Sequence, residues 1–270
     1  MKLFALAALA AAVVGLGACS SDTDTDTDNP TDPTPTNPEF TVAKSGSTFQ
    51  YDQFVLTGTA ASPTAAPNGS GVATVGANAI VGERTAQVIF DAFLSAANEP
   101  SLDTNQYHEA GGVLSKWYRI GSPALGNLPA IVAGKAWVVA SHPTLSSWTA
   151  LDTTISNVSF TYSGVPLTGT VKMKIMGNKV GTPDVTVDGK TISTVHTRFN
   201  VEASIQSEVP FIGPISISLA FSEEHWFGKN VGLVRYERLP FVLPATPPII
   251  PAPQDIPGRR IVLKAYVLAP

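Results

Sequence analysis

Disulfides play no part in this chain, because its 270 residues hold one cysteine, Cys19. A fold without such staples must be held by its core, and the 232 residues from Glu39 onward are enough to bury one. Long apolar runs are equally scarce. Beyond the first residues no stretch approaches the ~20 apolar residues that a membrane-spanning helix needs. The four histidines, His108, His142, His196 and His225, have no second histidine at metal-ligand spacing, and HExxH and GxSxG are absent. The glycine-rich stretches do not follow the strand-to-helix pattern of a phosphate loop. The expectation is therefore no catalytic residues, no cofactor and no metal.

An excess of one charge is missing too. The whole chain carries 17 basic and 21 acidic residues. Setting aside Lys2 and the five Asp between Ser20 and Pro38 leaves 16 of each for the rest. A balanced domain offers no basic footprint for nucleic acid.

What is present begins with a head. Met1-Lys2 precedes an uncharged apolar run, Leu3 to Leu16, whose length suits the h-region of a signal peptide. Leu16-Gly17-Ala18-Cys19 closely resembles the bacterial lipobox. That resemblance implies cleavage before Cys19, so that residues 1–18 are discarded, and attachment of diacylglycerol to the Cys19 thiol. Two or three acyl chains anchor stably where one does not. Ser20 in place of Asp, by the same resemblance, favours the outer membrane. Residues 19–39 are rich in Asp, Thr and Pro and have nothing apolar to bury, which predicts a disordered tether. An acidic stretch after a lipidated cysteine also resembles the surface-export signals of Bacteroidetes-type lipoproteins, so a periplasmic and a cell-surface face both stay open.

From residue 40 to 270 the hydrophobic period is two. In RFNVEASIQS, Phe199, Val201, Ala203 and Ile205 share one face, and Arg198, Asn200, Glu202, Ser204 and Gln206 the other. Ile215, Ile217, Leu219 and Phe221 alternate with smaller residues in the same way. So do Val158, Phe160 and Tyr162, and Val171, Met173 and Ile175. Each reads as a strand with one face in a core and one in water. Asp188-Gly189 is the sharpest hairpin signal. Further turns are expected at Ser163-Gly164, Gly177-Asn178, Gly213-Pro214 and Gly228 to Gly232. GERTAQVIFDAFLSA is the nearest approach to a helix, but Val88-Ile89-Phe90 and the flanking glycine favour a strand. Residues 240–258 are proline-rich, and proline cannot donate to a sheet ladder, so an extended loop is expected there. Ile249-Ile250 within it would be tucked in or exposed as a contact patch. The fold class is all-β and mainly antiparallel, with around ten strands, as a curved sheet that forms a half-barrel, a closed barrel or a sandwich.

Two segments together carry a family resemblance. DVTVDGKTISTV (Asp184 to Val195) and HWFGKNVGLVRYE (His225 to Glu237) resemble paired elements of DUF3108 and TapB-like bacterial envelope proteins, and LKAYV their closing strand. The resemblance covers mainly the C-terminal half. It implies a curved antiparallel sheet related to the half-barrel of LolA-like lipid carriers, and no catalytic residues.

The functional expectation is a non-enzymatic envelope lipoprotein, held at the membrane through Cys19, whose curved sheet binds an apolar small molecule or an envelope partner protein. The alternatives are a surface module for glycans or adhesion and, further off, a hydrolase. Trp117, Trp137, Trp148 and Trp226 are the candidate ligand-facing residues, with Tyr51, Tyr107 and Tyr118 as possible neighbours. Glu223 and His225 share one side of their strand while Glu224 does not. An acid–base pair is conceivable there, and a solvated strand end is the expectation.

Overall fold

Antiparallel pairing runs through the whole of the computed structural model, which describes residues 42–57, 62–63, 67–95, 100–122, 131–162, 165–209, 213–247, 250 and 252–270. The head, Cys19, the tether, Ser163-Gly164 and Ile249 lie outside these residues. The strands are β1 (Thr48–Thr57), β2 (Ser62–Pro63), β3 (Gly69–Val81), β4 (Arg84–Ser95), β5 (Pro100–Ala110), β6 (Val113–Ser122), β7 (Ile131–Ser141) and β8 (Ser147–Tyr162). They continue as β9 (Val165–Gly181), β10 (Asp184–Val187), β11 (Lys190–Val209), β12 (Gly213–Gly228), β13 (Gly232–Arg238), β14 (Phe241–Leu243), β15 (Gln254–Ile256) and β16 (Gly258–Val267). No helix occurs among the described residues.

Twelve strands follow one path, in the order β7-β6-β5-β4-β3-β1-β16-β13-β12-β11-β9-β8. A sheet of that size curls, and this one curls until its two ends nearly meet. Across the seam, the Trp148 indole N–H on β8 donates to the Val139 carbonyl on β7 at 2.9 Å. The result is a nearly closed barrel, which resolves the three shapes the alternation left open. Register shifts in β1, β3, β6, β8, β12 and elsewhere supply the local bends.

The predicted faces hold. Phe199, Val201, Ala203 and Ile205 are buried inside, level with Leu219 and Ile217 on β12 and with Met173 and Val171 on β9. Asp188 and Gly189 have φ of 49° and 71° in the β10–β11 turn, as a type I′ hairpin requires. The GERTAQVIFDAFLSA segment enters strand β4 through a second turn of that kind, with φ 50° at Gly82 and 67° at Glu83.

Two expectations need correction. Gly177-Asn178 is no turn; it lies within the 17-residue strand β9. Gly177 is there for packing, because a Cβ on it would stand 2.3 Å from the Trp148 ring. The proline stretch is not an extended loop either. Leaving β13 at Arg238, it forms the β14–β15 hairpin and returns as β16 at Gly258. The prolines frame short runs of apolar residues that reach the core: Leu243 is fully buried, Ile250 is 1% exposed, and Phe241 stacks on Phe221 at 5.2 Å. Since Phe221 shares the inner face with Val201, the hairpin packs inside the sheet's curve.

Candidate functional site

The four tryptophans do not converge on one surface. Trp117 and Trp137 are register partners on β6 and β7, facing outward, with ring centroids 5.2 Å apart and planes 55° apart. The β3–β4 turn covers them. The Trp137 N–H donates to Val81 O at 3.2 Å, and Gly82 comes so close that a Cβ would meet the Trp117 ring at 2.7 Å. Trp148 is buried at the barrel seam, edge-on to Phe199. Trp226 lies on the outer face between His196, stacked at 4.0 Å, and Arg235, whose guanidinium is 4.4 Å from the ring centroid. Next to it Glu224 accepts from Arg198 and faces His196 at 2.9 Å. Glu237 accepts from Arg235 at 2.6 Å and Arg260 at 2.8 Å. This belt ties β11, β12, β13 and β16 together on the outside. Burial lowers the His196 pKa despite Glu224. Burial would raise the Glu237 carboxyl, but the bonds from Arg260 and Arg235 carry it below the usual carboxylate range.

Open space lies elsewhere, and two of the spaces among the described residues differ in their chemistry. The larger is a groove of about 840 Å³ between the sheet and the β14–β15 hairpin. Three successive residues from each of β8, β9, β11 and β12 line it: a central register row, Thr153, Met173, Ala203 and Leu219, of which Met173, Ala203 and Leu219 are buried core residues, and on either side of it the exposed rows that hold Asp152, Lys172, Lys174 and Glu202. Its other wall is Val242, Pro244, Ala245 and Pro253 from the hairpin region. No member of the central row titrates. A groove of this volume is within the range of small-molecule sites, about 300–1,000 Å³.

The smaller space is a chamber of about 240 Å³ that shares no lining residue with the groove. Glu223 and His225 face into it from β12 with side chains 13% and 8% exposed, which corrects the expectation of a solvated strand end. Glu224, between them, points to the outer belt, as strand alternation requires. The Glu223 carboxylate accepts from the Tyr236 hydroxyl at 2.9 Å and meets His225 Nε2 at 3.5 Å. Burial alone would raise the Glu223 pKa; the contacts with His225 and Tyr236 and the charge of Lys116 outweigh it and leave the net shift downward. For His225, burial is the largest influence and lowers its pKa in spite of Glu223. The pair at neutral pH is therefore a carboxylate beside a neutral imidazole. Burial also pushes the hydroxyls of Tyr51, Tyr118 and Tyr236 upward, so they remain donors.

Across the chamber stand Asp91 on β4, hydrogen-bonded by the Asn105 amide of β5, Lys116 on β6 and Arg259 on β16. Three of the expected tyrosines, Tyr51, Tyr107 and Tyr118, line it as well. Sequence reasoning missed the polar members, yet a signal was present. Asp91 lies between Ile89 and Phe93, Lys116 between Leu114 and Tyr118, and Arg259 two residues before Ile261. Each is a charged residue on the face that the alternation assigns to the core.

No family model and no curated protein matches the chain, so the likeness of its C-terminal half to envelope families rests on short motifs alone. Among solved structures it is similar to a candidate lipoprotein from Parabacteroides distasonis, with a TM-score of 0.45 and 10% identity over 85% of this chain and 98% of that one. It is also similar to a candidate exported protein with a YmcC-like fold from Bacteroides fragilis, with a TM-score of 0.43 and 12% identity over 84% and 98%.

Proposed function

We propose that this chain is a lipid-anchored protein of the cell envelope that binds an apolar small molecule without transforming it. The groove between the Thr153–Met173–Ala203–Leu219 row and the hairpin carries this reading. It offers aliphatic and proline surface from the hairpin region in a volume suited to a single ligand, and the central row of its sheet side holds no acid, base or activated nucleophile. Charged Asp152, Lys172, Lys174 and Glu202 also line it and would keep a ligand's polar end in water. The lipobox-like Leu16-Gly17-Ala18-Cys19 supports placement at the outer membrane, and the Asp/Thr/Pro tether supports reach away from it. The outward pair Trp117 and Trp137, tilted by 55° and covered by a turn, gives a glycan no flat platform.

The test is displacement of a fluorescent apolar probe, N-phenyl-1-naphthylamine, by palmitate from the Cys19→Ser protein, which has no acyl chains of its own. Palmitate is expected to displace the probe. Ala245→Trp, at an exposed position on the groove wall, should weaken palmitate binding at least tenfold, about 1.4 kcal/mol. No displacement, or equal binding by the variant, would sink the proposal.

A further inference from the structure

The charged residues of the groove are sorted by row. On one side of the central row, Lys174 of β9 stands between Asp152 of β8 and Glu202 of β11 as their direct register partner. On the other side, Lys172 of β9 stands between Thr154 and Ser204, with Ser218 next in the row. We propose that the groove takes a single-chain amphiphile with a zwitterionic head, its anionic group at Lys172 and its ammonium at the Asp152 and Glu202 carboxylates. This rests on the reading of the groove as a site for an apolar small molecule and narrows that reading to one class of ligand.

Charge balance is the first argument. Two carboxylates and two ammonium groups line the groove, so a head of zero net charge keeps it neutral, and a lone anion or cation does not. The balance is uneven, which is the second argument. One ammonium between two carboxylates leaves the Lys174 row with a net negative charge, and Lys172 among hydroxyls leaves its row with a net positive one. Direct cross-strand partners have Cβ atoms about 4.5–5.5 Å apart and diagonal ones about 7–8 Å, so Lys174 offsets the two carboxylates more than Lys172 does. An uncharged head gains nothing from such a field, and a zwitterion gains at both ends. Availability is the third argument. Asp152, Lys172, Lys174 and Glu202 are exposed, and none of them makes an ion pair among the described residues. The hydroxyls of Thr154, Ser204 and Ser218 likewise make no hydrogen bond among the described residues and can donate to an anionic group held at Lys172.

Spacing is the fourth. The two charged rows lie two residues apart along each strand, about 6.6 Å. A head whose phosphate and ammonium are joined by a two-carbon bridge spans much of that distance, and the flexible Lys172 and Glu202 side chains take up the remainder. The apolar tail has its own surface on the opposite wall, at Val242, Pro244, Ala245 and Pro253. Past the Lys172 row comes an uncharged one, Thr170, Gln206 and Ser216, which lines a separate space of about 490 Å³. Glu208, which also lines that space, is four residues beyond Ser204 on β11, about 13 Å along the strand, and so leaves the positive charge of Lys172 largely uncancelled.

Displacement of N-phenyl-1-naphthylamine from the full Cys19→Ser chain tests this with four ligands of equal tail length. They are hexadecylphosphocholine, palmitate, hexadecyltrimethylammonium and the uncharged monopalmitin, each kept below the concentration at which it forms micelles. Hexadecylphosphocholine should bind tightest, by about threefold or more over monopalmitin, because each exposed charge pair contributes little. Lys172→Met should raise the Kd of hexadecylphosphocholine and palmitate about threefold and leave that of monopalmitin unchanged. Asp152→Asn combined with Glu202→Gln should weaken hexadecylphosphocholine and hexadecyltrimethylammonium and strengthen palmitate. A variant that merely fails to fold would weaken all four together. The preference should shrink in ~1 M salt, where the screening length is about 3 Å. Equal Kd values for the four heads, tighter binding of palmitate or of the trimethylammonium, or charge variants that move all four alike would overturn the proposal. If Ala245→Trp still weakened all four in that case, the apolar site would stand without its head-group preference. No displacement by any of the four would sink both.

Discussion

Leu243→Ala is the sharpest perturbation of the proline segment. Leu243 is fully buried, on a three-residue strand that a proline-rich sequence gives little reason to expect. If the segment were a loop lying on the surface, truncating one side chain would change stability by less than about 0.5 kcal/mol. In the structure the side chain is part of the main core, beside Phe241, Ile250 and Ile256. Removing three carbons forfeits about 0.8 kcal/mol for each, and the void adds a further cost, so about 3 kcal/mol is expected. For a domain of this size each 1 kcal/mol moves the midpoint by about 2–4 °C, giving a fall of about 6–12 °C. Differential scanning calorimetry reads it directly. Val242→Ala is the internal control, since Val242 is 57% exposed and should shift the midpoint by about 2 °C or less. Equal, small shifts for both variants would refute the inward packing of the hairpin and remove one wall of the groove.

Other outcomes follow from the same interior. Gly177→Val places a side chain where the Trp148 ring lies 2.3 Å from a Cβ, and should cost about 1–3 kcal/mol or more in urea unfolding, whereas Gly189→Asn, in an open turn, should cost little. Tyr236→Phe deletes the 2.9 Å bond to the Glu223 carboxylate and should cost about 1.5–3 kcal/mol by the same assay. Stability should also fall in acid in two stages. His225 and His196 have folded pKa values below their unfolded ones, so the unfolded chain takes up protons first; stability is complete above about pH 6.5 and declines as pH drops from there. Glu223 and Glu237 are likewise lowered, so their contribution is complete above about pH 4.3 and is lost as pH falls through their folded values. In a urea series across about pH 2–8, His225→Gln should reduce the upper stage to the part due to His196 and also weaken the Glu223 part of the lower one, leaving the Glu237 part in place.

Much of the fold was legible in the chain because strand alternation is a local signal. The inward set Phe199, Val201, Ala203 and Ile205 and the turn at Asp188-Gly189 needed no tertiary knowledge. The closure of the barrel was not legible, because the β7–β8 seam is made by tertiary contacts, among them the Trp148 indole on the Val139 carbonyl and the core packing of Val138 and Ala140 with Trp148 and Ala150. Nor was the role of Gly177, which looks like a turn residue until Trp148 is seen lying over it. The groove was illegible for a related reason. It needs the hairpin region laid beside level rows of β8, β9, β11 and β12, and both that packing and the register are long-range properties. The chamber was half-legible: its charged residues break the core-facing pattern one at a time, and only the curl of the sheet shows that they break it in the same place.

Photo-crosslinking tests the central claim most directly. A diazirine-bearing fatty acid would be activated with the Cys19→Ser protein, and the adducts located by peptide mass spectrometry. Labels are expected on peptides carrying Met173, Ala203 or Leu219 and on the hairpin peptide carrying Val242 to Ala245, and excess palmitate should suppress them. Labels confined to the outer face, or none that palmitate removes, would contradict an apolar ligand site inside the barrel.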